Sequence, residues 1–322
     1  MAKGKNAEKK NGEQDVQSSF EEVANEWLKA KLEDAERGNI KRYSYDRYYS
    51  IVNDYLVPNS KDKTMEEMTE GNNLRALESI LRDAGLAPKS IQNCLTVAKT
   101  IVKFYYGNIE LIGQTDDVLE CSLISGYAFR QIINNAKADD DYSDFKKLGI
   151  LIVIYTGITI SELCALQWRD IDLDNGVITI DKIIYRHKNY NGSEDDPKTE
   201  LTIADSNEER RIPINRALAR RLTQYMKGKN KAHYILSNSD RIVEPRLMQM
   251  YSKNTFFKKF KKAYTFSDLR DTFAITALKR GVSVDVLAYV LGASIVHIEK
   301  KYAMFIGVSE DKVKTEMDKL IY

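Results

Sequence analysis

Cysteine and histidine are both scarce in this chain of 322 residues. The three cysteines, Cys94, Cys121 and Cys164, are odd in number and match no zinc-ligand spacing. That excludes a disulfide framework and points to a reducing compartment, the cytoplasm. Only three histidines are present, His187, His233 and His297, so a thiol–imidazole pair has little to draw on. Cys164 lies in an apolar helical run and reads as core. Five prolines leave most of the chain open to helix. Long apolar runs are missing as well. The most apolar stretch, residues 148–155, is far short of the roughly 20 residues a membrane span needs and reads as a buried helix. Residues 1–17 are polar and lack the apolar segment of a secretory signal. An excess of one charge is also absent: 49 Lys and Arg face 47 Asp and Glu, a net +2. Any contact with a polyanion must therefore come from local clustering.

What is present is ordinary for a globular protein, with 43% hydrophobic and 30% charged residues. The length predicts two domains. Residues 1–18 form a charged tail expected to be disordered. Residues 19–107 read as a helical domain. Phe20, Val23, Ala24, Trp27, Leu28 and Leu32 recur at helical spacing, and Ser44 to Tyr55 continues the pattern. Pro58 and Asn59 mark a break, Leu74 to Ala84 a third helix, and Pro88 followed by Ser90 to Tyr105 a capped fourth. Four helices with short connections make a compact bundle. Residues 108–120 lack a period and read as a linker. Residues 121–305 form the second domain. Helices are expected over Tyr142 to Tyr155 and Ser161 to Trp168. The turn Asp174-Asn175-Gly176 precedes a strand at Val177 to Ile180, with further strands at Lys182 to Arg186 and Arg211 to Ile214, and helices beyond. Residues 306–322 carry Val308, Val313, Met317, Leu320 and Ile321, a short amphipathic tail helix. The fold class is mainly α with a small antiparallel β-sheet, α+β.

Three ordered blocks stand out in the second domain. The first is Thr156-Gly157-Ile158-Thr159-Ile160-Ser161-Glu162-Leu163, followed by Ala165-Leu166-Gln167-Trp168 and Asp170-Ile171. The second is Pro197-Lys198-Thr199 ahead of Arg211-Ile212-Pro213-Ile214. The third runs from Leu269-Arg270 through Phe273-Ala274 to Leu291-Gly292 and then Tyr302. Any one block is a weak signal. Together, in this order, they resemble the signature of the tyrosine recombinase (phage integrase) family. The resemblance covers about residues 19–305, with weak motifs in the N-terminal bundle, which is similar to the family's core-binding domain.

Such residues suit phosphoryl transfer. A tyrosine hydroxyl can attack a phosphodiester and hold the strand as a phosphotyrosine. Arginine can donate two parallel hydrogen bonds to the charge that develops on the non-bridging oxygens. A lysine can protonate the departing sugar oxygen. The bond energy stays in the phosphotyrosine, so neither a metal nor any other cofactor is expected. The resemblance implies that Tyr302 is the nucleophile, Arg270 a phosphate-clamping arginine and Lys198 the general acid. From the residues alone, Tyr302 is one of 19 tyrosines. Arg270 would serve equally as an ion pair with Asp268 or Asp271, and Lys198 as a solvated hairpin lysine.

The chain also departs from the family's pattern. Thr159 stands where the family has Arg, Ser267 where it has His, and Ala293 where it has His or Trp. Losing one preorganised donor typically costs ~3–4 kcal/mol. Another cation can fill the empty corner, and Arg169, Arg186, Arg210 and Arg211 lie in the right blocks. Two functions stay open. One is a site-specific recombinase or integrase of a mobile genetic element, which cuts and rejoins duplex DNA through a 3′-phosphotyrosine. The other is a catalytically impaired, recombinase-like DNA-binding or regulatory protein.

Either function needs a surface for double-stranded DNA. Lys258, Lys259, Lys261 and Lys262 lie among Phe256, Phe257, Phe260 and Tyr264, which read as core, so the lysines form an exposed rim or simply a solvated face. Arg42 and Lys99 are candidates in the first domain, with Lys41, Arg47, Lys89 and Lys103 nearby in sequence. The resemblance implies a clamp around the duplex, one domain on each side. It also implies a homodimer or tetramer on DNA joined through the C-terminal tail; a tail folded on its own domain is the competing reading.

Overall fold

The structure, a computed structural model, describes residues 18–60, 62–69, 71–107, 121–138, 143–188, 199–305 and 318. The chain divides into two compact units, Met1–Asp116 and Asp117–Tyr322. The expected polar tail, the linker, the stretch from Asn189 to Lys198 and the C-terminal helix fall outside the described residues, apart from Ser18 and Asp318.

The first unit is helical throughout its described residues. Helix α1, Phe20–Glu36, starts at Ser19, whose hydroxyl accepts from the Glu22 amide while the Glu22 carboxylate accepts from the Ser19 amide. It buries Phe20, Val23, Ala24, Trp27 and Leu28. Helix α2, Arg42–Ile51, does not stop at Pro58 as the sequence suggests. It runs through a π-helical turn, Val52–Leu56, into α3, Val57–Ser60. The wide turn ends just before Pro58, where the ring would otherwise meet the preceding carbonyl. A short helix that the pattern did not reveal, α4, Met65–Thr69, buries Met65 and Met68. Helices α5, Gly71–Asp83, and α6, Pro88–Tyr106, close the core with Leu74, Leu77 and Leu81 on one and Ile91, Cys94, Val97, Ala98, Ile101 and Val102 on the other. Pro88 takes the first turn of α6, where its missing N–H costs nothing.

In the second unit, α7 is Gly126–Lys137 and α8 is Phe145–Thr156. Helix α8 is buried from Leu148 to Ile154, as expected for a helix that is apolar all round. At Gly149 a Cβ would press on the end of the Leu236 side chain, so the glycine lets the helix pack closely there. Helix α9, Ile160–Ala165, is shorter than expected, because Leu166 turns extended and a 3₁₀ turn, Trp168–Asp170, follows. Cys164 is buried in α9, and burial pushes its thiol up to about 12. The sheet is antiparallel in the order β1-β2-β3, with β1 Ile171–Asp172, β2 Val177–Lys188 and β3 Thr199–Pro213. The two strands expected over 177–186 are therefore one, interrupted by a register shift between Ile180 and Lys182. The short strand expected at Arg211 is the end of the long edge strand β3, where Pro213 faces Val177.

The remaining helices are α10, Arg216–Met226; α11, Pro245–Tyr251; α12, Phe266–Lys279; α13, Val284–Leu291; and α14, Ile295–Tyr302. A satellite core joins the last three through Ala274, Ile275, Leu278, Leu287, Ala288, Leu291, Ile298 and Tyr302. The architecture is mainly α with one small antiparallel sheet. Among the described residues, no helix is long and apolar enough to cross a membrane.

Candidate active site

Helix α12 starts at Phe266. Thr265 is the cap, and its hydroxyl and amide bind the Asp268 carboxylate. Leu269 turns into the core, and Arg270 follows. The Arg270 guanidinium donates to the carbonyl of Gly157 at 2.5 Å and to that of Leu291 at 2.8 Å. Neither Asp268, taken up by the cap, nor Asp271, taken up elsewhere, holds it. Burial lowers the Arg270 pKa, against the opposing pull of the Glu162 carboxylate. Gly157 ends α8 with φ +68°, and a Cβ there would meet Phe273 at 2.5 Å and Leu291 at 2.7 Å. The glycine thus lets the end of α8 approach α12 closely enough for its carbonyl to meet Arg270.

Thr159 acts as a cap rather than a cation. Its hydroxyl accepts from the Glu162 amide, and its own O–H and N–H donate to Glu162 Oε2 at 2.9 and 2.7 Å. The other oxygen, Glu162 Oε1, pairs with Arg210 Nη1 at 2.8 Å. Arg210 is 3% exposed, its Nε donates to the Val290 carbonyl at 3.0 Å, and its Nη2 is buried without a hydrogen-bond partner. Gly292, at φ +60°, caps α13 beside it, and a Cβ there would lie 2.8 Å from the guanidinium. Of the four arginines considered for the empty corner, Arg210 alone is buried. Arg169 and Arg211 are exposed, and Arg186 is an exposed partner of Glu244.

Tyr302 ends α14 and is 2% exposed. Its hydroxyl donates to Asp271 Oδ1 at 2.7 Å, and Lys301 Nζ donates to the same oxygen at 2.7 Å. The Ser122 amide donates to Asp271 Oδ2 at 3.1 Å. Burial holds the Tyr302 hydroxyl above the ordinary phenol range, Asp271 raises it further, and the charge of Arg270 opposes both. Arg270 and Tyr302 therefore lie within electrostatic reach of each other.

The other expected residues are dispersed. Lys198 lies outside the described residues. Ser267 is exposed in the first turn of α12, and Ala293 follows the α13 cap, its amide donating to the Ala288 carbonyl. His297 is exposed on α14. Lys258, Lys259, Lys261 and Lys262 are exposed, while Phe256 and Phe257 are buried and Phe260 and Tyr264 pack against the core. In the first unit, Arg42 lies over the Tyr45 ring with Asp46 at 3.5 Å, and Lys99 is half-buried on α6. Asp271, Glu162 and Arg210 carry the interior of the site; the sequence offers Arg210 as one of four candidate cations and Asp271 as an ion-pair partner of Arg270, and gives Glu162 no role. The Thr-x-x-Glu spacing of a capping box was the available signal for Glu162. Asp271, offered by the sequence only as a partner for Arg270, binds Tyr302 and Lys301 instead. Among the described residues no group of His, Cys, Asp and Glu is arranged to hold a metal.

Known proteins resemble this chain in sequence and in fold. It is 31% identical over 107 residues to tyrosine recombinase XerC of Xanthomonas campestris pv. campestris, a match covering 30% of this chain and 32% of the relative. It is 24% identical over 149 residues to a tyrosine recombinase of Pseudothermotoga lettingae, covering 46% and 45%. The matches thus span a third to a half of those relatives. In fold it is similar to the Tn1549 transposon integrase in complex with circular intermediate DNA, with TM-score 0.68, 16% identity, and 94% of this chain and 100% of that one covered. It is also similar to lambda integrase in a tetramer bound to a Holliday junction, with TM-score 0.56, 15% identity, and 88% and 78% covered. The model of the phage integrase family matches residues 125–304, more than half of the chain. The chain belongs to the phage integrase family.

Proposed function

We propose that this chain is a site-specific DNA recombinase that binds duplex DNA and cuts and rejoins strands through a 3′-phosphotyrosine on Tyr302. The observation that carries this reading is the convergence of Tyr302, Arg270 and Arg210 on the ends of α12, α13 and α14. Arg270 donates to the non-bridging oxygens of the scissile phosphate. Arg210, buried behind it, contributes the positive charge that Thr159 lacks. Lys198 is the general acid for the departing 5′ oxygen. Ser267 and Ala293 leave the remaining corners without a charge. The duplex is held by Lys258, Lys259, Lys261 and Lys262 of the second unit and by Arg42 and Lys99 of the first. The chain assembles on DNA as a dimer or tetramer through residues 306–322. Light scattering with and without that segment tests the assembly.

The test of the activity is trapping. The protein is incubated with a nicked duplex that carries its target site, recovered by selection from a random pool. A covalent adduct that disappears in Tyr302→Phe is the expected result; its absence from the unsubstituted protein rejects strand transfer. The second reading, a DNA-binding or regulatory protein without cleavage, is favoured by Thr159, Ser267 and Ala293. It predicts that Tyr302→Phe keeps full biological activity.

A further inference from the structure

One buried acid faces the hydroxyl that must react. Asp271 is 3% exposed, and its Oδ1 lies 2.7 Å from the Tyr302 hydroxyl oxygen. Its position is fixed from two further sides, by Lys301 Nζ on Oδ1 and by the Ser122 amide on Oδ2. We propose that Asp271 is the proton acceptor for Tyr302 when its hydroxyl attacks DNA phosphorus. The proposal rests on Tyr302 being the nucleophile.

A phenol that bonds to phosphorus must shed its proton, and Tyr302, 2% exposed, is closed off from bulk water. The acceptor must lie within hydrogen-bond reach, and Asp271 does. Burial and the neighbouring carboxylate both disfavour free tyrosinate, against the opposing charge of Arg270. The proton must leave as the new bond forms, which is what a positioned carboxylate allows. The other ionisable groups around Tyr302 and Asp271 are Arg270, Lys301, Cys121 and His297. The first two are cations. Burial and Asp271 hold the Cys121 thiol in its protonated form. Among the described residues, His297, exposed on α14, is the one competing base.

The step balances. The Tyr302 O–H bond breaks, and its proton passes to Asp271 Oδ1. A lone pair of the phenol oxygen forms the bond to phosphorus. The bond from phosphorus to the 5′ oxygen breaks, and that oxygen takes its proton from the general acid. In rejoining, Asp271 returns the proton to Tyr302.

The experiment measures the single-turnover rate of adduct formation by the full chain on the nicked duplex, with duplex affinity and melting temperature recorded alongside. Asp271→Asn should slow the adduct by roughly 10²–10⁴-fold with unchanged affinity. Asp271→Glu should recover part of the rate. In Asp271→Ala, added formate should raise the rate in proportion to its concentration, which a purely structural role would not produce. The same formate should leave Tyr302→Phe silent. A folded Asp271→Asn that reacts at the unsubstituted rate overturns the proposal. So does an Asp271→Ala variant indifferent to formate, or a loss seen in His297→Gln instead. If Asp271→Asn does not fold, a folded Asp271→Glu as inert as Tyr302→Phe overturns it. An unsubstituted protein that forms no adduct overturns the nucleophile reading itself. An adduct insensitive to Asp271 overturns the proton acceptor alone.

Discussion

Arg210 and Arg270 reach the same helix end through consecutive carbonyls. Arg210 Nε donates to Val290 O at 3.0 Å, and Arg270 Nη2 donates to Leu291 O at 2.8 Å. The last carbonyls of a helix have no partner within it and carry partial negative charge, so two guanidiniums there satisfy acceptors and oppose the dipole. The arginines come from β3 and α12, which lie far apart in sequence. With Glu162 as the one carboxylate paired to them among the described residues, the cluster keeps an excess positive charge suited to an anion.

Removing Arg210 should cost both stability and activity, and a second substitution separates the two. Arg210→Met leaves the buried Glu162 carboxylate without its cation, a loss expected at ~3–5 kcal/mol. Adding Glu162→Gln removes the stranded charge and should restore much of the denaturant midpoint. Cleavage of the nicked duplex should stay depressed in the double variant, and Thr159→Arg on that background should raise it. Recovery of cleavage by Glu162→Gln alone would limit Arg210 to a structural role.

Gly157→Ala should be costly out of proportion to one methyl. The left-handed backbone at φ +68° adds about 1–2 kcal/mol for any residue with a Cβ. The Cβ would also press on Phe273 and Leu291, and such overpacking typically costs about 1–3 kcal/mol. Because Gly157 O holds Arg270, cleavage should fall along with the urea midpoint. A variant of unchanged midpoint would show that α8 and α12 can separate freely.

Asp268 gives a pH dependence with a definite sign. Burial alone would raise its carboxyl, but donors from the Thr265 backbone, Ser122 and the Thr265 hydroxyl outweigh it and hold the pKa below the ordinary value. A carboxyl depressed in the folded state contributes stability that is whole above its unfolded value, about 3.9. That stability is lost as pH falls through the folded value. Asp268→Asn should therefore lower the melting temperature at neutral pH and leave it closer to the unsubstituted protein in strong acid. Equal losses at both ends would mean that the cap acts without its charge.

Much of the fold was legible because periodicity reports burial. The apolar residues of α1 and the unbroken run in α8 announced their helices, and the phenylalanines around Lys258 announced a core beneath exposed lysines. What escaped were features set by distant partners. The continuity of β2 through its register shift depends on its pairing with β3, not on local pattern. In the candidate site, Tyr302 and Arg270 are assigned by resemblance, and Thr159 stands out for what it lacks. Its partnership with Glu162 and Arg210 joins α9 to β3, and the contact of Asp271 with Tyr302 joins α12 to α14. No spacing rule encodes the contact of Arg210 with Glu162 or that of Asp271 with Tyr302.

The exposed lysines should make DNA affinity steeply dependent on salt. Each phosphate neutralised adds about −0.9 to the slope of log affinity against log salt, through release of condensed counterions. Lys258, Lys259, Lys261 and Lys262 stand in solvent while Phe256 and Phe257 beside them anchor the segment in the core. Replacing a lysine by Ala should thus leave stability almost unchanged. Each replacement that removes a phosphate contact should flatten the slope by about 0.9 and weaken binding to all sequences alike, since a phosphate contact carries no base information. The measurement is fluorescence anisotropy of a labelled duplex over a range of salt, for the full chain and for each variant. A slope that does not change in any of the four would move the duplex to another face of the second unit.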